Sequence, residues 1–184
     1  MSEYQYYEFR AVDRPLTNQQ IRDLRRYSSR AEITATTFSV EYDWGEFKGN
    51  PNQWMERYFD AFVHFANLGS RWLMLRIPSH QVGSEIVSEY CDDDYLSFTV
   101  DDKNLILSFR SDDEDGDWVD GDGWLSSLVA LRADLINGDH RCLYLAWLRS
   151  IQGWANESDG EEHDLIEPCS SGTANLEHTI GRFC

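Results

Sequence analysis

Two short alternating runs, Leu96/Phe98/Val100 and Leu105/Leu107/Phe109, flank the polar turn Asp101-Asp102-Lys103-Asn104. Apolar residues at every second position put one face of an extended strand against a core, and a four-residue polar break folds such a pair back on itself. The chain must therefore contain an antiparallel hairpin. Tyr7, Phe9 and Ala11, alternating with Glu8 and Arg10, repeat the pattern near the start, and Ile33 to Tyr42, rich in Thr, Val and Phe, reads as a further strand. Trp72 to Ile77 is a short continuous apolar run ended by Pro78, the form of a central strand.

Helices are expected between these strands. Thr17 with Gln20 has the form of a capping box, opening a helix to about Tyr27 whose outer face carries Arg22, Arg25 and Arg26. Asn50 as cap, Pro51 at the first position and the stripe Trp54, Met55, Tyr58, Phe59, Phe62, Phe65, Ala66 predict a long helix closed by Gly69. Trp124, Leu128, Leu131 and Leu135 mark one late helix; Leu143, Trp147, Ile151 and Trp154 mark another. Asn137-Gly138-Asp139 between them supplies a stop, a left-handed turn and a new cap, so these two should form an antiparallel pair. The expected fold is α+β: a two-layer single domain over residues 1–155 with a mixed or antiparallel sheet, a β-hairpin and a C-terminal helical hairpin. Residues 156–184 lose periodicity and read as an acidic, mobile tail. No internal repeat is visible.

Charge is distributed unevenly. Residues 1–80 balance ten acids against ten Lys and Arg, so the net charge of −17 falls wholly on residues 81–184. Its densest stretch, Ser111 to Asp122, is SDDEDGDWVDGD, in which Asp112, Asp113, Glu114, Asp115, Asp117, Asp120 and Asp122 surround Trp118. Such clustering speaks of partners and association rates rather than of fold. These seven acids and Trp118 are the expected partner-binding residues, joining long-range attraction for a basic surface to an aromatic anchor. Acids at alternate strand positions lie ~6.6–6.8 Å apart, so extended acidic segments can imitate phosphate spacing in a groove built for nucleic acid. The opposing reading is that the loop and the Arg22, Arg25, Arg26 face neutralise one another. The sequence is compatible with both.

Other chemistry finds less support. Aligned on Gly116, the loop matches a twelve-residue calcium loop only degenerately, with Ser111 at the first position and Asp122 at the last. It is read as solvated, and no cofactor or metal is expected. There is no phosphate loop, HExxH, nucleophile elbow or dinucleotide-binding glycine fingerprint. His163, between Glu162 and Asp164, lies in the tail; His140 resembles a kinase triplet only by coincidence. His64 is expected to be packed beside its helix stripe, and Cys142 to be an inert thiol. Cys91, Cys142, Cys169 and Cys184 show no zinc or redox spacing, which fits reduced thiols in a cytoplasm. MSEYQYYEF carries no basic segment ahead of an apolar run, and no apolar run approaches the ~20 residues of a membrane span.

The blocks YQYYEFRAVDRPLT (4–17), WGEFKG (44–49), DEDGDW (113–118) and LRADLINGDHRCLYLAWL (131–148) make the chain resemble an uncharacterised bacterial protein family, over roughly residues 4–155. The resemblance implies a cytoplasmic bacterial protein and carries no activity, cofactor or substrate with it. Members continue into a longer C-terminal region, from which CSSGTANLEHTIGRFC departs. The expected function is thus a non-enzymatic acidic interaction module that binds a basic protein, in its most specific version a nucleic-acid-mimicking inhibitor or adaptor of a nucleic-acid-binding protein. It should bind neither nucleic acid nor membrane directly, and its oligomeric state is open. The alternatives are a carboxylate-based or divalent-metal-dependent enzyme, or a subunit of a larger assembly.

Overall fold

The computed structural model describes residues 4–45, 47–67, 69–112 and 123–157, with the backbone alone for 152–157. In chain order the elements are β1 (Gln5–Arg10), α1 (Asn18–Arg25), β2 (Glu32–Ile33), β3 (Thr37–Tyr42), α2 (Pro51–Arg57), β4 (Ala61–Ala66), β5 (Ser70–Pro78), α3 (Ser84–Ser88), β6 (Leu96–Val100), β7 (Asn104–Asp112), α4 (Trp124–Ile136) and α5 (Arg141–Glu157). The strands form one seven-stranded sheet in the order β2-β3-β1-β4-β5-β7-β6, and every pairing is antiparallel. The chain is an α+β domain with an antiparallel sheet and a C-terminal helical hairpin. The β6–β7 hairpin turns where expected, with Val100 opposite Leu105.

Local chemistry explains most helix starts. Thr17 and Gln20 form the reciprocal box: Gln20 N–H donates to Thr17 Oγ1 at 3.2 Å, and Thr17 N–H donates to Gln20 Oε1 at 2.8 Å. Asn50 Oδ1 accepts from Gln53 N–H at 3.1 Å with Pro51 first in the helix. Gly138 adopts φ +86 between α4 and α5, a left-handed turn that a Cβ would disfavour.

The long helix expected from Asn50 to Gly69 is not formed. α2 ends at Arg57, Tyr58 leaves helical geometry, and Ala61–Ala66 is strand β4 between β1 and β5. The stripe misleads because β4 is covered on both faces: Phe62 packs with the α1/α2 side, Ala61, Val63 and Phe65 with the α4/α5 side. A doubly buried strand loses its period-two signal and cannot be told from helix by apolar spacing alone. Gly69 closes no helix; at φ +83 it sits in the β4–β5 connection, its N–H donating to Ala66 O. The strand expected over Ile33–Tyr42 is interrupted too, since Thr34 Oγ1 accepts from Thr36 and Thr37 N–H and bends the chain between β2 and β3.

Helices lie on both faces of the sheet, so the domain has three layers and not the expected two, because the central strands are apolar on both sides. On one, Phe9, Phe38, Trp54, Phe59 and Phe62 make an aromatic core, with ring centroids 4.4 Å apart for Phe9–Phe62 and 4.8 Å for Phe38–Trp54. Such tilted and edge-on pairs add about 0.5–1.5 kcal/mol each beyond the burial of their area. On the other, Tyr6, Val63, Leu75 and Leu107 meet Leu125, Leu135 and Leu143 of α4 and α5. A buried charge network ties the layers together. The fully buried Asp60 accepts from Arg76 Nε and Nη2 (3.1 and 2.5 Å) and from Val12 and Asp13 N–H (2.7 and 3.0 Å). Arg132 of α4 donates to Arg76 O and to Asp13 Oδ2, each at 2.6 Å.

Candidate functional site

Of the expected partner-binding residues, Asp112 is the exposed last residue of β7, opposite Ser70. Asp113, Glu114, Asp115, Asp117, Trp118, Asp120 and Asp122 lie outside the described residues, as does His163. Ser111, first in the calcium-loop alignment, is held in β7 as the register partner of Arg71, which places a cation beside the position that would open the loop. Among the described residues no group of three His, Cys, Asp or Glu side chains is placed to hold a metal ion.

Acidic side chains nevertheless gather at one margin of the sheet. Asp93 and Asp94 before β6 and Asp101 and Asp102 after it are all exposed at the two ends of the edge strand, and Glu85 and Glu89 on and after α3 are exposed as well. Asp92 Oδ1 accepts from Tyr95 and Leu96 N–H (2.9 and 3.0 Å), anchoring the first of these loops. Asp101 accepts from Lys103 and Asn104 N–H, both at 2.7 Å, and these backbone donors hold its carboxyl below the usual carboxylate range. Among the described acids after residue 81, Asp139 alone forms a salt bridge, and its partner is Arg141 two positions on. In the first half Glu8, Asp13, Asp23 and Asp60 all pair with arginine.

The arginines of α1 are engaged locally. Arg26 pairs with Asp23, Arg22 donates to Gln19, and Arg25 donates to the Ala31 carbonyl at 2.5 Å. The remaining singled-out residues are structural in setting. His64 lies on β4, not on a helix; its ring stacks on Tyr7 at 4.3 Å with Nδ1 3.1 Å from Tyr6 O. The His140 carbonyl accepts from Leu143 and Tyr144 N–H at the start of α5. Burial pushes the Cys142 thiol up to about 11, and Cys91 likewise, where Asp93 and Asp92 reinforce the effect. Neither is a thiolate at neutral pH.

A second feature escapes sequence reasoning. Where α4 and α5 diverge above β4, β5 and β7, they leave an apolar groove of about 420 Å³. Its floor includes Val63, Phe65, Leu73 and Phe109, and its helix walls Leu128, Leu131, Cys142 and Ala146. Trp124, 48% exposed, and Leu145, 63% exposed, form its lips. Arg71 and Ser111, register partners near the end of the β5–β7 ladder, also line it, as does Arg149, which neighbours Tyr95 at that same end, where the Tyr95 carbonyl accepts from Arg110 N–H. Arg149 lies 5.9 Å from the Tyr95 ring, while Arg110, which also borders the groove, is stacked 4.1 Å over Trp72. The faint trace of this in the sequence is Leu145, an apolar residue outside the α5 stripe with an arginine four positions on, which is the same-face spacing of a helix. No helix among the described residues is long and apolar enough to cross a membrane. Comparison with known proteins adds no assignment: no family model, no curated protein and no solved structure matches the chain.

Proposed function

We propose that the protein is a non-enzymatic interaction module whose acidic second half binds a basic protein, in its most specific form by occupying a nucleic-acid-binding surface in place of phosphates. The observation supporting this is the asymmetry of pairing: the described acids of the second half, Asp139 apart, have no cation of their own chain within salt-bridge distance, whereas arginines of the chain pair with Glu8, Asp13, Asp23 and Asp60, half of the described acids of the first. Unpaired carboxylates spread along one strand margin sum their fields, raise the encounter rate with a positive surface and cost no internal bridge when a partner neutralises them. The sequence from Asp112 through Asp122, which includes Trp118, is the proposed anchor, and the exposed acids flanking β6 add to the negative surface.

The test is capture of partners from native cell extract by the full chain at low and high salt, alongside the triple variant Asp113→Asn, Asp115→Asn, Asp117→Asn. Binding of a basic protein should fall steeply between about 50 and 200 mM salt and fall again in the variant. Salt-insensitive capture, or capture that the triple variant leaves intact, would reject the electrostatic reading.

A further inference from the structure

We propose that the groove between α4 and α5 is a binding site for a small amphiphilic anion, a monocarboxylate carried on an apolar body the size of a medium-chain fatty acid. The inference does not rest on the acidic margin, and its charge logic is opposite. In a chain of net charge −17, Arg71 and Arg149 stand at one end of an apolar cavity, and neither forms a salt bridge to any carboxylate among the described residues. Arg71 is half-buried, and no carboxylate among the described residues lies within salt-bridge distance of it. That is the complement of a carboxylate head, which guanidinium binds through paired N–H donors.

The rest of the groove suits the tail. Beyond the arginine end its walls are Phe65, Phe109, Leu128 and Leu131. From Arg149 to Cys142 the α5 wall runs about 10 Å at 1.5 Å per residue, enough for a medium chain and too short for a long one. A volume of about 420 Å³ lies within the usual range for small-molecule sites. The overall negative charge does not prevent entry, because at physiological salt it is screened over ~8 Å while the guanidinium groups act at contact. Cys142 at the inner end is protonated at neutral pH, so the site binds without covalent chemistry there.

Calorimetric titration of the full chain with decanoate tests this, with decanol and decyltrimethylammonium as neutral and cationic counterparts. Decanoate should bind at one site per chain, each methylene removed from it should weaken binding about fourfold, and Arg149→Gln should weaken it about tenfold or more. Arg149 is exposed on α5, so this substitution leaves folding intact and keeps the charge test clean. Leu131→Trp, which fills the cavity, should abolish binding, and decanoate should slow alkylation of Cys142 in the parent chain. Equal binding of decanol or of the cationic amphiphile, indifference to Arg149→Gln, or no decanoate heat up to millimolar concentration would each overturn the proposal. None of these outcomes bears on the acidic partner surface.

Discussion

Asp60→Asn is the sharpest probe of what holds this fold together. Asp60 is fully buried and each of its oxygens receives two N–H groups, Oδ1 from Arg76 and Oδ2 from Val12 and Asp13. Asparagine has nearly the same shape but replaces one acceptor with a donor. Whichever way the amide turns, two N–H groups then face an NH₂, and the Arg76 charge is left with neutral oxygens such as the carbonyls of Met55 and Glu56 and no carboxylate. Removing one partner of a buried pair costs about 3–5 kcal/mol, because the other charge stays desolvated and unpaired. With a urea slope of about 2 kcal/mol per molar, a loss of about 4 kcal/mol lowers the unfolding midpoint by roughly 2 M. Asp23→Asn is the control. Its pair with Arg26, 3.7 Å and largely exposed, should cost under about 0.5 kcal/mol. A midpoint shift for Asp60→Asn no larger than that of Asp23→Asn would refute the claim that this network, rather than apolar burial alone, fixes the β4–β5 region to the β1–α1 loop.

Other consequences can be measured separately. With Cys142 raised from 9.0 to about 11, folding favours the protonated thiol, so its contribution is complete below pH 9 and declines as pH rises towards 11; alkylation at pH 8 should be slow in the native state and fast in urea. Asp101 has the opposite sign: its carboxyl lies below the ordinary 3.8, so its turn is held above that pH and released only as pH falls beneath it. Amide exchange of Lys103 and Asn104 should accelerate there, and an Asp101 midpoint above 3.8 by NMR titration would contradict this. Gly138→Ala places a Cβ at φ +86 with no neighbour within 4 Å, so its cost is backbone strain alone, about 1–2 kcal/mol by chemical denaturation. Gly49→Ala would instead drive a Cβ to 2.6 Å from Phe47 Cζ and 2.7 Å from Trp54 Cζ2, and should disturb the near-ultraviolet circular dichroism of the aromatic core as well as stability.

What could be read from the sequence was whatever a single residue or a one-sided periodicity encodes. Thr17 and Gln20, Asn50 and Pro51, and Gly138 each specify a local geometry by their own chemistry, and the structure adopts it. The β6–β7 hairpin declared itself through the alternation of its inward-facing residues. β4 could not, because Phe62 and Phe65 serve cores on opposite faces of the sheet. The warning there was Asp60, an acid ahead of an apolar run, which marks a break in the chain and a buried partner rather than a helix surface. The groove was hidden for a different reason: Arg71, Phe109, Leu128 and Arg149 come together only once α4 and α5 have settled on the sheet, and no local pattern encodes that distance.

β6 ends the sheet, and an end strand carries backbone donors and acceptors that another chain can use as a template. The carboxylates flanking it at Asp93, Asp94, Asp101 and Asp102 act as a guard against that, since two such margins repel before their backbones can meet. The guard works only while it is ionised. Asp101, held below the ordinary 3.8, is still ionised at the isoelectric point of about 4.5, so zero net charge leaves the guard standing and only stronger acid removes it.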